Sequence, residues 1–398
     1  MEKILFLVHR IPYPPNKGDK IRSYHFLKAL AENYQVYLGA FIDDQEDWQY
    51  SDKLTDFCED VFCQALNPKI AKIKSLQGLL TGKALSLPYY QSLAMQQWVL
   101  DTLKQQKIKK VLIFSSVMAQ FVPENQDIDM IVDFVDVDSD KWRQYSQQKK
   151  WPESWIYQRE ARQLLSYEKA IAKKSKVSFF VSEQEAKLFK QLAPELDDKI
   201  SWVNNGVDTG FFNPRESYDN PYAADETALV FTGAMDYWPN IDAVVWFAQQ
   251  VFPIILQQYP HVRFYIVGSK PAKEVLALAE QSEHIVVTGR VEDIRPYLNY
   301  AAVAVAPLRV ARGIQNKVLE AMAMTRTILA TPAAMEGISG YQDIDVEIAD
   351  EAELLADKAR QLLSRPPQQL ISTRNREFVT EFFSWDSSGN KLRQLIEH

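Results

Sequence analysis

The chain has 398 residues, 46% hydrophobic and 24% charged, with 19 Pro and 13 Gly. That length exceeds one ordinary core and fits two domains of about 200 residues each, with no long low-complexity tract or internal repeat. The formal charge of −7, with acids and bases interspersed, lacks the clustered basic surface of a nucleic-acid binder and argues against that class of partner.

Cys58 and Cys63 are the only cysteines, too few to staple a chain this size, which points to plain thiols in a reducing, cytoplasmic compartment. The opening apolar run, Ile4 to Val8, is shorter than a signal-peptide core and ends in His9, Arg10 and Pro12; it reads as a buried first strand. No stretch approaches the roughly 18 apolar residues that span a bilayer, so any membrane contact is expected to be peripheral, on the inner face.

Along the chain, short apolar runs alternate with stretches of helical period. The first half gives strands at 4–8, 36–41, 111–114, 130–135 and 177–182, with helices near 20–32 and 153–173. The second half gives strands at 228–233, 263–268, 285–289, 303–307 and 327–331, with helices near 240–258 and 314–324. This alternation predicts an α/β protein with two doubly wound, Rossmann-like parallel sheets. Residues 202–227, rich in Asn, Gly, Pro and acids, read as the hinge. Ligands of open parallel sheets sit beyond the carboxyl ends of the strands, which predicts a site in a cleft between two facing domains. The expected domains are 1–205, completed by a C-terminal helix at about 375–398, and 206–374. Within 375–398, two short helices broken at 387–389 are expected.

The segment PLRVARGIQNKVLEAMAM (307–324) leaves a strand, turns through Gly313 and starts a helix on which Lys317 and Glu320 are three apart and share a face. A helix start binds phosphate through free amides. Arg309, Arg312 and Lys317 add positive charge, and Glu320 can accept from sugar or ribose hydroxyls. Against this stands an ordinary exposed Lys/Glu pair worth a few tenths of a kcal/mol. In NKGDKIRSYHF (16–26), Gly18 follows the first strand where a phosphate or sugar would press on the backbone, with Lys17, Lys20 and Arg22 nearby; a simple turn is the alternative. Asp133, Asp136, Asp138 and Asp140 form an acidic cluster at the end of another strand. Asp136 and Asp138 imitate an Asp-x-Asp metal motif but read as acceptor-side polar groups or as a surface turn. No His or Cys spacing proposes a zinc site, and His9 and His25 read as structural or, at best, as acceptor contacts. Residues 67–83 place Ile70, Ile73, Leu76 and Leu80 on one helical face among Lys69, Lys72, Lys74 and Lys83. This reads either as a solvated helix or as one lying in a membrane headgroup region.

The 307–324 segment resembles the family-four retaining glycosyltransferases, which carry two glutamates separated by seven residues on such a strand-turn-helix. The second falls on Glu320 and the first on Arg312, so sugar contacts must differ in part. NNGVD (204–208), SYEKAIAKKSKVSFFVSEQEAKLF (166–189) and IVVTGRVEDIRPYL (285–298) resemble the same family in the same order. A narrower similarity is to the sugar transferases of exosortase (PEP-CTERM) exopolysaccharide systems, carried by PYPPNKGDKIRSYHFLKAL (12–30), DFVDVDSDKW (133–142), GAMDYWPNIDAVVWF (233–247) and GIQNKVLEAMAM (313–324).

The resemblance implies a GT-B architecture with an acceptor-side N-terminal domain and a nucleotide-sugar-binding C-terminal domain. The implied reaction is transfer of a sugar, with retention, from a nucleotide diphosphate sugar to a glycan or lipid-linked acceptor, without cofactor or metal. Lys317, Glu320 and Arg312 would act at the reacting centre. Gly18, Gly233, Arg290, Arg309, Gly313, Ile314, Gln315 and Asn316 would serve the donor, and Lys17, Arg22, Asp136 and Asp138 the acceptor. Family members commonly bind the diphosphate with an Arg and a Lys after the first strand of the second domain; GAMDYWPNID has neither, leaving Lys317, Arg309 and Arg312 as substitutes. A nucleotide-sugar epimerase and a catalytically silent nucleotide-sugar-binding protein are the rival readings. A nicotinamide-dependent dehydrogenase is set aside because no Gly-x-Gly-x-x-Gly follows any assigned strand.

Overall fold

The computed structural model describes residues 1–15, 18–124, 127–311 and 313–397. The chain divides into two compact units: Met1–Asn205 together with the segment from Ser388 onward, and Gly206–Ser387.

The first unit holds seven strands: β1 (Glu2–Val8), β2 (Tyr34–Ile42), β3 (Asp60–Ala65), β4 (Lys110–Phe114), β5 (Asp129–Val135), β6 (Val177–Phe180) and β7 (Ile200–Trp202). They form one parallel sheet in the order β3-β2-β1-β4-β5-β6-β7. Ile4 to Val8 are fully buried, as a strand covered on both faces by helices must be, which is why they form an unbroken apolar run. The second unit holds β8 (Thr227–Thr232), β9 (Val262–Val267), β10 (Ile285–Gly289), β11 (Val303–Ala306), β12 (Ile328–Ala330) and β13 (Val346–Ile348). Its sheet is also parallel, in the order β10-β9-β8-β11-β12-β13. Strand order reverses between β1 and β4 in one sheet and between β8 and β11 in the other; this is where open α/β sheets bind ligands.

The edge strands β3, β7 and β13 were not expected from the sequence. They are short or mixed in polarity, and β3 and β13 are only half-buried at best, so they carry no continuous apolar signal. The helix expected near 240–258 is present as Trp238–Trp246, a π-helical turn Phe247–Val251 and Phe252–Leu256. Pro253 lacks the amide that would continue an α-helical ladder, and Phe252 N bonds Phe247 O in its place.

At the C-terminus the two helices are Thr373–Phe382 and Trp385–Glu397. Their break falls at Phe383–Ser384 and not at 387–389. Ser384 Oγ accepts from Ser387 N at 3.1 Å, so Ser384 starts the last helix while Ser387, Ser388 and Gly389 lie inside it. Gly389 packs closely on Ala29, where an added Cβ would come within 2.9 Å of the alanine's own.

Candidate donor site

In the second unit, the loops after β8, β9 and β10 and the start of helix Asn316–Ala323 enclose a cavity of about 510 Å³. Two glycines shape it by close backbone approach. A Cβ on Gly268 would sit 1.7 Å from Gly233 O, and one on Gly337 would sit 2.4 Å from Ile314 N, so any larger residue would push the loops apart. Among the described residues, the N-cap position Gln315 makes no side-chain cap hydrogen bond to helix Asn316–Ala323, and the first amides of such a helix, at the positive end of its dipole, suit an anion.

Lys317 and Glu320 both line this cavity and both are half-buried. Lys317 Nζ donates to Asn240 Oδ1 at 2.7 Å and stands 4.9 Å from the centre of the Phe231 ring. Asn240, only 4% exposed, is fixed in turn because its Nδ2 donates to Ala234 O at 2.8 Å. Burial lowers the Lys317 ammonium to about 8, against the opposing pull of Glu320. Burial likewise pushes the Glu320 carboxyl up to about 7, with Lys317 acting the other way. Among the described residues Lys317 forms no salt bridge: its direct partner is a neutral amide.

Of the residues expected at the donor, Gly233, Arg290, Ile314, Gln315 and Asn316 line the same cavity as Lys317 and Glu320. Gly313 lies one residue outside the lining, and Gln315 Nε2 donates to its carbonyl at 3.2 Å. Arg309 departs from expectation: its exposed guanidinium pairs with Asp242, Nε to Oδ2 at 3.0 Å, with a second bond from Nη2 to Oδ1, and it does not line the cavity. An opposite charge one helix away holds it there. Arg312 and Lys17 lie outside the described residues. Gly18 belongs to the first unit, where an added Cβ would meet no protein atom within 4 Å. Asn240 and Gly268 were not foreseen. Asn240 lies within the GAMDYWPNID segment, but a single amide among apolar residues gives no pattern to read.

In the first unit, the described residues expected to meet the acceptor are engaged with other side chains of that unit. Arg22 is 1% exposed: its Nε donates to Asp133 Oδ2 at 2.7 Å and its Nη1 to Asn205 Oδ1 at 2.9 Å. Its charge is committed to the interior of the fold, because a buried charge needs a partner, whereas the sequence led to the expectation of an acceptor contact. Lys20, also 1% exposed, pairs with Asp47 at 2.6 Å. Asp133 Oδ1 further accepts from the amide of Val135, a β-branched residue at φ 67°. That strained turn carries the chain from β5 toward Asp136 and Asp138. Both of these half-buried carboxylates close on Lys141, at 2.6 and 3.3 Å, and its one ammonium offsets one of their two charges. His9 stacks on Phe114, and its buried Nδ1 has no partner among the described residues. Burial pushes the Cys58 and Cys63 thiols up to about 12 and about 11, leaving both un-ionised near neutrality. Among the described residues no group of three or more His, Cys, Asp or Glu is placed to hold a metal ion, and no helix is long and apolar enough to cross a membrane.

Residues 226–365 match the family model described as glycosyl transferases group 1. No curated protein matches the chain. Among solved structures, it is similar to sucrose-phosphate synthase from Thermosynechococcus elongatus, with a TM-score of 0.66 and 16% identity over 100% of this chain and 98% of that one. A glycosyltransferase from Rickettsia africae gives 0.63 and 14%, over 100% and 98%. Anabaena HepE, solved in complex with UDP, gives 0.65 and 12%, over 99% of each chain. The chain has the GT-B fold. Its two Rossmann-like units and both sheet orders accord with that assignment.

Proposed function

We propose that this protein is a glycosyltransferase that binds a nucleotide diphosphate sugar in the second unit and passes the sugar to a glycan or lipid-linked acceptor. The observation that carries this reading is Lys317: a half-buried ammonium at a helix start, beside a cavity, held by an amide and not by a carboxylate. Such a cation can turn to a diphosphate without stranding a buried anion. Breaking the sugar–phosphate bond builds charge on the leaving diphosphate, and Lys317 with the helix amides would stabilise it in a site drier than bulk water. Arg290 would supply further charge from the rim. Glu320, with a carboxyl near 7, would both donate to and accept from sugar or ribose hydroxyls at neutral pH. Arg312 would take the place of the family's first glutamate beside the donor sugar.

By resemblance, transfer proceeds with retention, the donor phosphate helping to deprotonate the acceptor hydroxyl that attacks from the same face. The reaction then belongs to cell-surface or exopolysaccharide assembly on the cytoplasmic side of the membrane. The domain roles follow: a donor unit from 206 to about 374, and an acceptor-side unit before it that includes Asp136 and Asp138. No cofactor beyond the nucleotide sugar is invoked. HepE was solved with UDP, and we take UDP as the first nucleotide to try.

The test is a thermal-shift screen of wild type and Lys317→Ala against UDP, GDP, ADP, CMP and their common sugar conjugates, since a ligand that binds only the folded state raises its stability. One nucleotide family should shift the wild type and not the variant. No shift by any of them at millimolar concentration would overturn the donor site. A shift without release of free nucleotide across a panel of acceptors would favour the silent-binder reading, which the absence of Arg and Lys from residues 233–242 keeps in play.

A further inference from the structure

Residues 61–100 contain no Asp or Glu, although the whole chain has 52 of them in 398 residues. Within that stretch lie helix Pro68–Ser75 and the short helix Gln77–Thr81. Their apolar side chains are turned outward: Ile70 is 53% exposed, Ile73 70%, Leu76 55% and Leu79 36%. A solvated helix buries its apolar stripe. This one buries Ala71 and Gly78 and leaves the large residues uncovered. Lys69, Lys72, Lys74 and Lys83 surround the stripe, all exposed, and among the described residues none of them pairs with a carboxylate. The result is a local charge of +4 on a chain of −7. Next to the stripe, an open groove of about 580 Å³ is lined by Ile70, Lys74, Tyr89 and Leu93, the last 85% exposed.

We infer that this face docks on the surface of an anionic lipid bilayer, with Ile73 and Leu76 entering the headgroup boundary and the lysines meeting lipid phosphates. Exposed aliphatic groups ringed by unpaired cations are what an interfacial helix presents. An acidic protein would match the lysines but not the aliphatic stripe. A second copy of this chain would bring four more lysines against these four. The helices follow β3, whose sheet is parallel throughout, so they lie at the carboxyl end of that sheet, the same end as Asp136 and Asp138. A bilayer docked there would deliver a lipid-linked molecule to that end of the first unit. The docking itself does not depend on the proposed reaction.

The experiment is co-sedimentation of the full chain with vesicles of phosphatidylcholine alone and with vesicles containing about one-third phosphatidylglycerol, at low and high salt. It is repeated for Ile73→Ser/Leu76→Ser and for Lys69→Ala/Lys72→Ala/Lys74→Ala, with melting temperature as the folding control. The expected result is binding to the anionic vesicles, weakened by salt and reduced about tenfold or more in each variant at unchanged melting temperature. Absence of binding, or binding that neither variant weakens, overturns the inference. So does a wild-type dimer, measured without lipid, that the serine variant dissociates, because the face would then be an interface between copies.

Discussion

Arg22, on the helix after β1, and Lys317, on the helix after β11, each follow a strand beside the point where strand order reverses, yet their partners differ in kind. Arg22 is held by the Asp133 carboxylate at 2.7 Å and Lys317 by the Asn240 amide at 2.7 Å. Removing Arg22 from its partner would strand a carboxylate that is 0% exposed. Removing Lys317 from Asn240 would strand only a neutral oxygen. The first cation is therefore part of the interior, while the second can leave its partner without stranding a buried charge.

The comparison breaks if the two cations respond alike to removal. Arg22→Met should destabilise the first unit by about 3–5 kcal/mol in urea unfolding, and Arg22→Met/Asp133→Leu should recover much of that loss because no unpaired charge remains. A single-variant loss below about 1 kcal/mol would show that the pair does not hold the fold. Lys317→Met should behave oppositely. Its melting temperature should stay within a few degrees of wild type, while nucleotide-diphosphate turnover falls about 100-fold or more, as when one donor to a developing charge is lost. Equal losses of stability and turnover would place Lys317 with Arg22 as a structural residue.

Much of the fold could be read because buried parallel strands are unbroken apolar runs: ILFLV and ALVFT identify β1 and β8 without help. The edge strands could not be read so, since DVFCQA at β3 is half solvated and mixed in polarity. The candidate site was legible where position along the chain suffices, as for Lys317 and Glu320 on one turn of a helix. It was illegible where pairing across the sheet decides. Nothing local shows that Arg22 is claimed by Asp133, 111 residues away, or Lys317 by Asn240, 77 residues away. Charge type is written in the sequence, whereas charge partner is a property of the fold.

The pH dependence sharpens the contrast within the cavity. Glu320 is raised from 4.5 to about 7, so between those values the folded state holds a proton that the unfolded state has released. Its contribution to stability is complete below about pH 4.5 and is lost as pH rises through 7. Lys317, lowered from 10.5 to about 8, gives up its proton first in the folded state, so stability recovers between pH 8 and 10.5. Unfolding measured across this range should fall and then rise, and Glu320→Gln should flatten the first limb alone. A diphosphate needs the charged ammonium, so nucleotide affinity should weaken above pH 8 by up to about tenfold per unit. Lys317→Arg, charged throughout, should abolish that weakening.

The smallest effect expected is at Arg309, which separates charge near the cavity from charge within it. Its guanidinium is exposed and committed to Asp242 outside the lining, and exposed pairs contribute about 0–1 kcal/mol. Arg309→Ala should therefore leave the melting temperature almost unchanged and alter the nucleotide dissociation constant by no more than about threefold. A loss comparable to that of Lys317→Met would mean that Arg309 leaves Asp242 for the ligand. The donor site would then be closed by a side-chain exchange, and Asp242→Asn, by releasing Arg309 beforehand, should tighten nucleotide binding.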